Sequence, residues 1–202
     1  IERFIIDKGE HLVLQSCISP LWDTSISCNA LLDSGIAEDH PALVKAAEWM
    51  LKKQVVKPGD WKVKNPHTEP GGWAFEFYNE LYPDNDDTAE ILMALDAIQI
   101  PDVRWKLTES QRALTWLLSM QSKNGGWGAF DMDNDKWILN EVPFADHKAL
   151  LDPPTVDVTG RILWLLGILG YDKTHPQAAR AIRFIKKNQE PERAAHQQEM
   201  KA

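Results

Sequence analysis

Apolar positions along the chain fall into two alternating patterns. In "WDTSISCNALLDSG" (22–35), "DDTAEILMALDAI" (86–98) and "DVTGRILWLLGILG" (157–170), an Asp with a hydroxyl residue within two positions opens a mostly apolar run. Asp ahead of such a run is a helix N-cap signal, because its side chain accepts from free backbone N–H groups. The second and third runs are apolar nearly all round and predict buried helices. Between and after them come "KAAEWMLKKQVVKPGDW" (45–61), "RALTWLLSMQSKNGGW" (112–127) and "RAIRFIKKNQEPERAA" (180–195). These are amphipathic and predict outer helices, with "PGDW" and "NGGW" as closing turns.

The outer segments are copies of one another. A base stands at Lys45, Arg112 and Arg180, an aromatic at Trp49, Trp116 and Phe184, and a glutamine at Gln54, Gln121 and Gln189. All three columns recur at spacings of 67 and then 68 residues. This predicts a repeating unit of inner helix, outer helix and tryptophan turn, and hence an all-α fold, an α/α barrel or toroid. Inner helices in such an array run parallel, so their starts, with Asp23, Asp87 and Asp157, converge at one end of a cavity. Three units fill residues 1–189 and do not close a barrel. The chain is therefore expected to be a fragment whose uncovered inner helices favour association and leave it inactive alone. Residues 190–202, "EPERAAHQQEMKA", lack the Gly-x-Trp turn and read as an atypical polar tail, either a solvated helix or disordered.

Composition narrows the function. With 44% hydrophobic residues the chain is no disordered tether, and a net charge of −8 without a basic cluster argues against nucleic acid. Cys17 and Cys28 form no CxxC pair or disulfide framework. The longest apolar run, "ILWLLGILGY" (162–171), is too short to span a bilayer. His40, His67, His147 and His175 show no ligand spacing, and no zinc set of Cys, His and Asp stands out.

The chemistry concentrates in "YPDNDDTAE" (82–90), where Asp84, Asp86 and Asp87 occupy four positions with Glu90 close behind. Directly upstream lies the aromatic stretch "GGWAFEFYN" (71–79). Crowded carboxylates cannot all ionise, so a shared proton remains. Ring faces stabilise a cation without attacking it. Asp157 and Arg161, spaced i,i+4, are close enough to pair. A blander reading makes the acids a solvated loop with a helix cap. A magnesium–diphosphate site would need a second metal motif and basic clamps, which the sequence lacks. A helical-repeat binding or structural protein without catalysis is the alternative from another class.

"DNDDTAE" resembles the DxDDTA motif of squalene–hopene cyclases, and the turns from Gln54 to Trp61 and from Gln121 to Trp127 resemble the QW repeats of triterpene cyclases. "SPLWDTS" (19–25), "GGWAFEFYN", "GGWGAFDMDN" (125–134) and "DPPTVDVTGR" (152–161) resemble further stretches of that family, in the family's order. The resemblance covers residues 1–189 and corresponds to a middle section of a far longer enzyme. It implies an isomerase or hydro-lyase that protonates squalene and closes it to pentacyclic hopene or hopanol, with no metal or organic cofactor. It implies Asp86 as proton donor, with Asp84, Asp87, Asp157 and Asp23 around it. Arg161 stands where well-known members carry a histidine; it can hold the cluster by charge but cannot return a proton at neutral pH. By the same resemblance Trp22, Phe75, Phe130 and Phe144 line the cavity. Phe130 falls at a tyrosine position and His147 where another aromatic is expected. Trp61 and Trp127 are expected to stack on the repeat glutamines. The motif also suits class II diterpene cyclases. Oxidosqualene cyclases carry Cys in the place of Asp87 and lack the first Asp, which favours squalene here. Squalene, a lipid bilayer and a homodimer are the partners implied or allowed, at the cytoplasmic face of a bacterial inner membrane, in peripheral or monotopic association.

Overall fold

The computed structural model describes residues 5–14, 18–76, 79–136 and 151–199, with side chains to residue 188. A short antiparallel hairpin, β1 (Ile5–Asp7) and β2 (Leu12–Leu14), precedes six helices. These are α1 (Pro20–Asp33), α2 (Pro41–Lys52), α3 (Asn85–Ala97), α4 (Val103–Ser119), α5 (Val156–Ile168) and α6 (Pro176–Glu199). Helix α6 continues through the start of the polar tail at residue 190 without a break.

The odd-numbered helices are the inner ones. α3 lies between α1 and α5, with α4 behind it. That position explains its all-round apolar sequence: every residue from Asp87 to Leu95 is buried. The three run parallel. Near their starts, Arg161 of α5 meets Asp86 and Glu90 of α3 and Trp22 of α1. At their ends, Leu32, Ala97 and Ile168 share one groove. On α1 and α5 an apolar stripe including Ile26, Trp164 and Ile168 remains exposed, Trp164 by 62%. Among the described residues no helix is long and apolar enough to cross a membrane.

The helix starts differ in detail from the expectation. Asp23, Asp87 and Asp157 lie inside the first turns, and the N-cap residues are Ser19, Asp84 and Thr155. Only Asp84 of these caps with its side chain, accepting from the N–H groups of Asp86 and Asp87.

The repeat is an interlock between successive outer helices. Gln54 donates from Nε2 to the carbonyl oxygens of Gly71 and Glu109, both at 2.8 Å. Its Oε1 accepts from Nε and Nη2 of Arg112 at 3.2 and 2.7 Å. Gln121 does the same one unit later, donating to Gly125 and Gln177 and accepting from Arg180. The recurring base is thus the grip for the preceding unit's glutamine. The recurring aromatic has a seat as well. A Cβ on Gly72 would lie 2.6 Å from the Trp116 ring, and one on Gly126 would lie 2.7 Å from the Phe184 ring. Glycine is needed so that backbone and ring can touch.

These contacts correct one expected pairing. The tryptophan equivalent to Trp127 is Trp73. Trp73 Nε1 donates to the Met50 carbonyl at 2.7 Å, and Trp127 Nε1 to the Leu117 carbonyl at 2.8 Å. The turn that closes on Gln54 is therefore Gly71–Trp73, displaced along the chain by an insertion that contains a 3-10 turn, Asp60–Val63. Trp61 sits in that turn and meets Trp116 edge-on, with centroids 5.8 Å apart at 88°. The tryptophan partners found here are backbone carbonyls and another indole, where stacking on glutamine was expected.

Candidate active site

The turn that grips the outer helices also places the acids. The Trp73 carbonyl accepts from the Asp84 N–H at 2.7 Å, and the Trp73 N–H donates to Thr88 Oγ1 at 3.0 Å. One unit on, Trp127 makes the same pair with Thr155 and Thr159. The starts of α3 and α5 are thus each clamped to a buried Gly-Gly-Trp turn. In the middle unit that start is "DNDD".

Within it the three aspartates face different surroundings. Asp84 is 6% exposed, and its Oδ1 accepts from the N–H groups of Asp86 at 2.7 Å and Asp87 at 3.2 Å. Burial outweighs these two bonds and pushes its carboxyl up to about 7. Asp87 is 1% exposed, and its Oδ1 has no hydrogen-bond partner among the described residues. Burial first, then the neighbouring Asp84 and Asp86, push it up to about 8. Asp86 is the open member, its side chain 23% exposed. Its acidity is weakened by burial and by the charges of Asp157 and Glu90, and strengthened by Arg161.

Arg161 Nε lies 2.7 Å from Asp86 Oδ1. The N–H points off the line between them, so the contact is an ion pair without a linear hydrogen bond. Arg161 Nη1 donates to Glu90 Oε2 at 3.0 Å, and the guanidinium carbon stands 4.8 Å from the Trp22 ring centroid. Despite burial, these carboxylates raise the proton affinity of Arg161, Glu90 foremost. The pairing expected along α5 therefore gives way to one across helices. Asp157 acts on the cluster through charge, and its own carboxyl is held low, chiefly by the neighbouring Thr155 side chain.

Two residues not singled out from the sequence complete the scaffold. Asn85, fully buried, donates from its N–H to the Ala129 carbonyl at 2.7 Å and from Nδ2 to Gly128 at 2.9 Å. Asp152 accepts from the N–H groups of Ala129, Phe130 and Asp131 at 2.9, 2.6 and 2.9 Å. The loop at 128–131 is thus held from both sides. An Asn between acids, and an Asp before a proline pair, were the available signals.

Other expected site residues are placed as follows. Asp23 is exposed on the first turn of α1, and among the described residues its carboxylate has no partner. Trp22 carries Arg161 on its ring, so it reaches the acids through the cation. Phe75 is half-buried beside Trp73 in the chain. Phe130 lines a separate cavity of about 430 Å³ with Trp61, Tyr82 and Asp152; none of the three aspartates of the cluster lines it. Phe144 and His147 lie outside the described residues, as does Cys17; Cys28 is buried.

Residues 18–197 match the squalene–hopene cyclase C-terminal domain. The chain is 45% identical over 200 residues to a dammaradiene synthase from Dryopteris crassirhizoma, covering 95% of this chain and 29% of that protein. It is 44% identical over 187 residues to a squalene–hopene cyclase from Alicyclobacillus acidocaldarius, covering 93% of this chain and 30% of the relative. An enfumafungin synthase from Hormonema carpetanum is 39% identical over 205 residues, 94% of this chain and 15% of that protein. The chain thus spans less than a third of the length of these relatives. With its helical repeat and its clamped acid cluster, the chain belongs to the squalene–hopene cyclase C-terminal domain family.

Proposed function

We propose that the protein carrying this sequence is a triterpene cyclase that protonates squalene and closes it to pentacyclic products. The observation that carries this reading is the unequal burial of the acids. Asp84 and Asp87 are sealed in, and Asp86 alone opens outward beside a fixed cation. Asp86 gives its proton to a terminal alkene carbon. The alkene π electrons form the new C–H bond and leave a tertiary cation. The O–H pair stays on the Asp86 carboxylate, where Arg161 stabilises it. Ring closures move the cation along the chain until water adds or a proton leaves. Arg161 cannot resupply the proton at neutral pH, so water reprotonates Asp86. Squalene is insoluble in water, so this reading places the enzyme on a membrane in peripheral or monotopic association.

The test is to incubate the intact polypeptide with squalene in mild detergent, beside Asp86→Asn, and to analyse the triterpenes. Pentacyclic products that fall about 10³-fold in Asp86→Asn are expected. Equal turnover by a folded Asp86→Asn would remove the proton-donor role. Two of the relatives are a squalene–hopene cyclase and a dammaradiene synthase at similar identity. The product spectrum, with oxidosqualene and a diterpenyl diphosphate as further substrates, therefore decides the finer specificity.

A further inference from the structure

We propose that Glu90 is a positioning residue of the protonation site: it shares the Arg161 guanidinium with Asp86 across α3 and α5, so that the Glu90–Arg161 pair sets how readily Asp86 gives up its proton. The inference rests on Asp86 being the donor.

Glu90 follows Asp86 by one helical turn and is 6% exposed. A carboxylate that buried must be paired. Both of its oxygens are. Oε2 accepts from Arg161 Nη1 at 3.0 Å, and Oε1 accepts from Asn29 Nδ2 of α1 at 2.9 Å. Arg161 is a rigid planar fork, and here its Nε faces Asp86 while its Nη1 faces Glu90. The Trp22 ring lies against the guanidinium. Two carboxylates and an indole therefore fix the cation.

The charge balance follows from this placement. With Asp86 protonated, Arg161 and Glu90 neutralise each other, and the site holds a buried pair of net zero charge. When Asp86 loses its proton, its carboxylate competes with Glu90 for the same cation. Glu90 thus keeps the proton on Asp86 before the reaction, while Arg161 limits the cost of the carboxylate afterwards. Other titratable groups facing Asp86 are Asp84 and Asp87 at the start of its own helix and Asp157 on α5. α1 contributes the uncharged Trp22 and Asn29, with Asp23 turned to the exposed side. Among the described contacts the only carboxylates paired with Arg161 are Asp86 and Glu90.

Glu90 also ties three helices together, so a purely structural role must be separated from an electrostatic one. The pH–rate profile of squalene cyclisation by the intact polypeptide does this. The rate needs protonated Asp86 and falls on the alkaline side. In Glu90→Gln the acceptor for Asn29 remains and the negative charge is gone. The alkaline limb is expected to move down by about one pH unit. Glu90→Asp, which keeps the charge, is expected to hold the limb near the wild-type position at reduced kcat. A strut would lower stability or kcat and leave the limb unmoved in both, and that result overturns the proposal. Should Glu90→Gln fail to fold, the neutral pair Glu90→Gln/Arg161→Gln is compared with Arg161→Gln alone. The limb must again move down on loss of Glu90, and an unmoved limb again overturns the proposal. Asp86→Asn in the same assay separates the two levels. Turnover surviving Asp86→Asn sinks the donor assignment itself; turnover lost there, with an unmoved limb in Glu90→Gln, sinks only the role of Glu90.

Discussion

Arg161 holds Asp86 from a neighbouring helix, with Nε 2.7 Å from Oδ1. Charge is therefore brought to the acid by tertiary packing of α5 on α3, and not by the local sequence of either helix. Removing it has a defined result. Arg161→Gln leaves Asp86 protonated to higher pH but weakens it as an acid. We expect kcat for squalene to fall about 10²-fold while KM changes little, because the lost interaction grows only as the carboxylate forms. Steady-state kinetics on the intact polypeptide check this; a rise in KM at constant kcat would contradict it.

Stability depends on pH through the sealed acids. Asp84 and Asp87 keep their protons in the folded chain up to about 7 and about 8, well above the ordinary value of 3.8. The folded state therefore binds more protons than the unfolded one. This contribution is fully present below about pH 4, falls steadily above it, and is gone once the pH has passed the folded values of about 7 and about 8. Urea midpoints should therefore fall steadily from pH 5 to pH 9. Asp84→Asn keeps a capping side chain and removes one titration. It should shrink that fall by about half.

The tryptophans of the first turn, Trp73 and Trp61, should respond unequally to loss of the indole nitrogen. Trp73 Nε1 is bonded to the Met50 carbonyl, whereas Trp61 Nε1 is buried with no partner among the described residues. Trp73→Phe should cost about 1–3 kcal/mol, because a buried carbonyl loses its donor. Trp61→Phe loses buried packing but strips no carbonyl of its donor, and should cost about 1 kcal/mol less than Trp73→Phe. Thermal unfolding of the two variants measures the difference, and equal losses would return Trp61 to the role of turn tryptophan.

The aromatic seat predicts a compensating pair. Gly126→Ala drives a methyl into the Phe184 ring and should destabilise by about 1–3 kcal/mol. Shortening the ring as Phe184→Leu in the same chain should recover part of that loss. A double-mutant cycle on unfolding free energy reads the coupling, and strict additivity would show that the two do not meet.

The fold was legible where a physical requirement repeats at fixed spacing. Arg112 and Arg180, with Trp116 and Phe184, stand in register because each must reach the equivalent glutamine and the equivalent glycine of the preceding turn. The column fails at the turn of the first unit, where residues between Gln54 and Gly71 are inserted and a second Gly-x-Trp stands in the gap. Spacing alone selects the nearer one; only the bonds identify Trp73. In the acid cluster, the crowding of Asp84, Asp86 and Asp87 was plain from the sequence. The partner of Arg161 was not. Asp157 shares a helix with Arg161 and Glu90 stands on another, and the choice of Glu90 depends on how α5 packs on α3, which no local pattern encodes. Asp152 was hidden for the same reason, since its partners are backbone groups that any residues could supply.

Each glutamine grip points one way along the chain. Gln54 meets Arg112 across 58 residues, and Gln121 meets Arg180 across 59. During synthesis from the N-terminus, every glutamine leaves the ribosome well before the arginine that completes it. A growing chain therefore carries one unfinished clasp at its leading edge and closes it only when the next outer helix emerges. A chain cut short before the next outer helix therefore lacks the arginine that its last glutamine needs.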